Sequence, residues 1–85
     1  MGDVRAMRAK MMITQVVQHQ GGSETLHLSA VARSDGYPAD GADEDNTFAR
    51  FSPSGTLTLT VANPALIGQF KPGERYYLDF TKAAK

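Results

Sequence analysis

The chain has 85 residues, 41% of them hydrophobic, with nine basic and nine acidic side chains that cancel and no cysteine. That length supports one domain with one modest core, while the missing cysteine excludes disulfides, thiolate metal sites and cysteine nucleophiles. Balanced charge provides no global field to attract nucleic acid or an anionic membrane, and no apolar run reaches a membrane span or the centre of a signal peptide, so a soluble, unexported protein is expected.

From Val4 to Val17, Met7, Ala9, Met11 and Ile13 alternate with Arg8, Lys10, Met12 and Thr14, which predicts a strand over 6–18 with one apolar face. A helix competes in its first half, where Arg, Ala, Met and Lys are good helix formers, but the β-branched MITQVV run and the lack of a helix cap favour strand. The period slips at Gln15, Val16 and Val17, the pattern a β-bulge or bend leaves. Gln20, Gly21, Gly22 and Ser23 predict a hairpin turn, since glycine supplies positive φ. A phosphate-cradling loop would need a following helix and a Lys-Ser/Thr pair, and neither is present. Leu26, Leu28, Ala30 and Ala32 then alternate with His27, Ser29, Val31 and Arg33, giving the return strand, 24–33, antiparallel to the first.

Ser34 to Asn46 holds two Gly, a Pro and five of the nine acids: Asp35, Asp40, Asp43, Glu44 and Asp45. Its composition predicts a flexible, solvated acidic loop over 34–46 inside a single domain spanning 1–85. Carboxylates suit calcium, but Asp40, Asp43 and Asp45 do not follow the alternating calcium-loop spacing and no Glu follows at the right distance. Thr47 to Phe51 reads as a short strand (47–52) with Phe48 as its core anchor. After the Ser52 to Gly55 turn comes the clearest strand, 56–62, where Leu57, Leu59 and Val61 alternate with Thr56, Thr58 and Thr60.

Asn63-Pro64 is an N-cap followed by a residue favoured at the first helical position, predicting one short helix whose Leu66, Ile67 and Phe70 plug one end of a barrel. Lys71-Pro72-Gly73-Glu74 has the order of a type II turn. The last strand, 74–81, places Tyr76, Leu78 and Phe80 on one face and Tyr77 and Asp79 on the other, and Lys82 to Lys85 is a fraying tail. The expected fold is all-β and mainly antiparallel: a small five-stranded barrel or sandwich with one short helix, since five strands in a short chain must hide their edges.

Val4-Arg5-Ala6 or Arg8-Ala9-Lys10 before a strand, Asn46-x-Phe48, Ser52-Pro53-x-Gly55, Asn63-Pro64 and the run Phe70 to Thr81 together resemble a family of small proteins encoded by tailed bacteriophages and prophages. The match covers most of the chain and is densest after Asn46. The resemblance implies a phage-encoded protein made in the host cytoplasm, with incorporation in the virion open, and carries over no catalytic residue.

Candidate chemistry is sparse. His19 and His27 flank the hairpin and offer two metal nitrogens without a third ligand. Ser23, Ser29 and Glu24 lie near these histidines, but no nucleophile elbow is visible, so no enzyme activity, catalytic residue, metal or cofactor is assigned. Three functions are weighed. The first is a structural or interaction protein of the virion or its assembly, working by self-association or protein docking. The second is an OB-like single-strand nucleic-acid binder built on Arg5, Arg8 and Lys10 with Tyr37 and Tyr77, which is disfavoured because Tyr37 lies in the acidic loop. The third is an inhibitor of a host factor, with Asp35 to Asp45 mimicking nucleic acid. The protein–protein reading is preferred, with Thr56, Thr58, Thr60, Arg8 and Lys10 as interaction residues and no membrane contact.

Overall fold

The computed structural model describes residues 5–84; Val4, at the head of the quoted motif, and Lys85, at the end of the expected tail, lie outside them. Four strands form one antiparallel sheet: β1 (Met7–Gln18), β2 (Glu24–Ala30), β3 (Thr56–Val61) and β4 (Arg75–Phe80). Their order is β3-β2-β1-β4, so β1 and β2 are central and β3 and β4 are the edges. The sheet curls into a half-barrel. With extents of 48 × 33 × 17 Å, the molecule is one sheet thick plus a layer of loops.

The β1–β2 hairpin follows the sequence pattern closely. The turn is closed by Gly22 N–H to His19 O (3.0 Å) and His19 N–H to Ser23 O (2.9 Å), and of the two glycines Gly22 takes the positive φ, 98°. This leaves a three-residue loop ending in a left-handed residue. The register then slips between Ile13 and Gln15, so Thr14 is the extra residue of a bulge, and its hydroxyl donates to His27 O at 3.1 Å. The bulge explains how Val16 returns to the apolar face as the partner of Leu26.

Ala9, Met11, Ile13, Leu26, Leu28 and Val61 form the buried core on one face of the sheet. Loop residues cover that face: Phe48 from the β2–β3 connection, and Ile67 and Phe70 from the β3–β4 connection. Glu24 is wholly buried on the same side. One carboxylate oxygen accepts Gly68 N–H at 3.3 Å, tying the second connection to the sheet, while the other has no partner. On the opposite, open face the β2–β3 connection reaches the β1–β4 end, where Asp45 bonds Lys10 and Tyr77.

Two expected elements are absent. Residues 47–52 form turns, not a fifth strand. Ala49 N–H bonds back to Asn46 O, and Phe51 sits at φ 57°, which an extended strand cannot accommodate. Phe48 still anchors in the core, so the side chain finds its place without the strand. Pro64 to Gly68 likewise makes successive turns and not a helix. The Asn63 carboxamide does accept Ala65 N–H at 3.0 Å, as an N-cap would, but Gly68 turns to φ 82° and stops the winding. The all-β, antiparallel expectation holds, whereas the five-stranded barrel or sandwich with a helix gives way to four strands in an open curled sheet.

The connection from β2 to β3 takes the place of the missing strand by a different route. β2 ends at Ala30, leaving the first half of β1 without a strand neighbour on that side. There Asn46 Oδ1 accepts Lys10 N–H (2.9 Å) and Thr47 Oγ1 accepts Arg8 N–H (2.7 Å), while Asn46 Nδ2 donates to Val31 O (2.8 Å). Side chains thus satisfy the backbone groups that a strand would otherwise pair.

Candidate interaction surface

β3 is an edge strand, and the direction of its backbone groups can be deduced. Ala30 N–H bonds to Gly55 O at 3.0 Å, continuing the register in which Leu28 faces Leu57, Leu26 faces Leu59 and Glu24 faces Val61. Bonded pairs alternate in an antiparallel ladder, so Leu57, Leu59 and Val61 exchange bonds with β2. Thr56, Thr58 and Thr60 therefore aim N–H and C=O away from the sheet. No strand lies beyond them among the described residues. The same three threonines put their exposed side chains on the open face.

Two short hydroxyl rows run from β3 across the open face. Thr60 meets Thr25, their Oγ1 atoms 3.2 Å apart, and His19 Nε2 lies 2.6 Å from Thr25 Oγ1. Thr58 Oγ1 lies 3.5 Å from His27 Nδ1. The two histidines thus engage different threonines. Among the described residues, no group of three or more His, Asp and Glu side chains is arranged to hold a metal ion. Ser29 shares the open face with His27, but Glu24 is buried on the other side, so the sheet separates the acid from the other two.

The face assignment of Leu57, Leu59 and Val61 is correct, since each pairs with a core-facing residue of β2. Their burial differs, however: Val61 is buried, but Leu59 is 52% exposed in the middle of the strand. A leucine on the covered side of an edge strand has half its surface unoccupied.

Arg8 and Lys10 also lie on the open face, but on β1 beyond the end of β2: Met12 is level with Ser29 and Thr56, so Lys10 and Arg8 lie two and four residues further along, away from Thr58 and Thr60. Offset along the strand as well as across two strand spacings, they stand more than about 10 Å from the threonines. The structure gathers them into a second cluster with β4 and the acidic loop. Arg8 grips Asp79 through Nε (2.7 Å) and Nη2 (3.1 Å) and stacks over the Tyr77 ring, 4.1 Å from its centroid. Arg5 also reaches Asp79, at 3.3 Å. Asp45 closes the network, accepting from Tyr77 Oη at 3.0 Å and from Lys10 Nζ at 3.4 Å. The hydrogen bond from Arg8 holds the Asp79 carboxyl below its ordinary pKa, against the opposing effect of burial, and raises that of Arg8 in turn.

That network was not legible in sequence, because it depends on β4 pairing with β1 over most of the chain's length: Arg8 faces Asp79 and Lys10 faces Tyr77. Beside it lies a shallow cleft of about 470 Å³ where Lys10, Arg33 and Arg75 alternate with Asp35, Asp43, Glu44 and Asp45. Its mixed charge gives no preference for an anion. Tyr37 is not part of this face; it packs against Phe51, ring centroids 5.9 Å apart, with Arg33 over its ring. No family model, curated protein or solved structure matches the chain.

Proposed function

We propose that this protein is a non-enzymatic interaction module that engages a protein partner by strand addition at the free edge of β3. The observation that carries the reading is the outward direction of the Thr56, Thr58 and Thr60 backbone groups along an edge with no ionisable side chain. Natural edge strands are normally guarded by charge, proline or a covering segment. β4 carries Arg75 and Asp79, but β3 carries neither an ionisable residue nor a proline. Main-chain bonds supply affinity in such pairing, and the alternating side chains supply the choice of partner.

The likeness to small proteins of tailed phages supports a role in virion assembly or as a virion component, with synthesis in the host cytoplasm. Nucleic-acid binding is disfavoured because Arg8 is committed to Asp79 and Lys10 to Asp45, and Arg75 lines a cleft together with Asp35, Asp43, Glu44 and Asp45. The test is a nuclear magnetic resonance titration with two probes. A short peptide of alternating threonine and valine is expected to perturb the amides of Thr56, Thr58 and Thr60. A single-stranded oligonucleotide is expected to leave Arg8, Lys10 and Tyr77 unmoved at moderate salt. Oligonucleotide binding that weakens steeply with salt, without any peptide response at β3, overturns the proposal.

A further inference from the structure

Building on strand addition at β3, we infer that the partner strand is β3 of a second copy, paired antiparallel about a two-fold axis through Thr58. In this register Thr58 faces its own counterpart, Thr56 faces the partner's Thr60, and Leu57 faces the partner's Leu59. The outward groups of the three threonines then form three hydrogen-bonded pairs, about six N–H···O bonds in all. The two four-stranded sheets become one continuous sheet.

The side chains fit this symmetry without adjustment. In any antiparallel pairing centred on a residue, positions of equal parity meet, so the threonine face continues as threonine and the aliphatic face as aliphatic. Leu59, half-exposed in the single chain, comes to lie against the partner's Leu57 in a non-hydrogen-bonded pair, where strands approach most closely. Charge selects β3 over β4. A two-fold contact through β3 brings no ionisable side chains of the strand together. In β4, Asp79 is held by Arg8 and Arg5, so self-pairing there leaves Arg75 facing a carboxylate already neutralised. A six-residue strand pair buries less than a standard stable interface, so a reversible dimer with micromolar or weaker affinity is expected.

Sedimentation equilibrium over a wide concentration range should show monomer and dimer exchanging. Filtered nuclear Overhauser spectra of a mixed-label sample should show an intermolecular contact between the α-protons of Leu57 and Leu59, which face each other in this register. Because the chain has no cysteine, nitroxides can be placed singly at Thr56→Cys, Thr58→Cys and Thr60→Cys. Dipolar broadening is expected to be strongest at 58, and weaker and equal at 56 and 60, whose counterparts are displaced by four residues, about 14 Å along the strand. Thr58→Pro removes an outward N–H and no bond to β2, so it is expected to weaken dimerisation more than tenfold while the monomer stays folded. Thr58→Lys, which places like charges on the axis, should do the same. A strict monomer at the highest concentrations, or a dimer whose contacts map to Arg75–Phe80, overturns the inference. A monomer that still binds the threonine–valine peptide through β3 refutes this partner while leaving strand addition itself intact.

Discussion

At the scale of single residues, burial and bonding rank the side chains differently from their hydrophobicity. Alternation alone makes Leu59 a core residue, and emptying a core leucine costs roughly 2 to 5 kcal/mol. Its half-exposed position lowers the expected cost of Leu59→Ala to under about 1.5 kcal/mol in the monomer, whereas Ile13→Ala, at a site 1% exposed, should cost the full range. Urea midpoints of the two variants measure the difference. Asn46 is polar yet 1% exposed, and it supplies an acceptor to Lys10 N–H and a donor to Val31 O. Asn46→Ala leaves both backbone groups short of a partner and is expected to cost about 2 to 4 kcal/mol. Asn46→Asp should fare no better, because it turns a donor to Asp43, 3.2 Å away, into a second carboxylate. Asp79 shows the corresponding effect of pH. A carboxyl whose folded pKa is depressed contributes stability above its unfolded value and loses it as the pH falls through the folded one. Stability should therefore decline below about pH 4, and Asp79→Asn should shrink that decline without abolishing it, since Asp35 and Glu74 are depressed too.

At the scale of elements, the strands were legible because alternation over six or more residues has few competing explanations. The hairpin, the slip near Gln15 and the turn at Lys71 to Glu74 all follow from local chemistry, the last with Gly73 at φ 93° and Glu74 N–H bonded to Lys71 O. Residues 47–52 resemble a strand in sequence because threonine and phenylalanine suit strands by propensity, while the deciding event is distant. Asn46 and Thr47 bond to β1 through side chains, a role that no local window reveals. The acidic loop also makes distant contacts of this kind. Its charge suggests solvation, yet Asp43 and Asp45 bond to Asn46, Lys10 and Tyr77. Backbone relaxation is expected to show residues 43–47 moving as little as β1. Gly41 marks how tightly that connection folds: its φ is 74°, and an added Cβ would lie 2.6 Å from the Phe51 ring. Gly41→Ala is therefore expected to destabilise the domain by more than the ordinary 1 kcal/mol or so of a glycine in a left-handed site.

At the scale of the whole molecule, the sheet order has an effect on time as well as on shape. β1 is flanked by β2, its neighbour in sequence, and by β4, the last strand of the fold. During synthesis the β1–β2 hairpin can close early, but Met7 to Met12 must wait for Arg75 to Phe80. At about 5 to 20 residues per second, that interval lasts roughly 3 to 12 s. Throughout it, one side of β1 is an open ladder beside the apolar residues Met11 and Ile13. A nascent chain stalled before Arg75 should thus be a good client for chaperones, and release of the final strand should end that dependence in a single step.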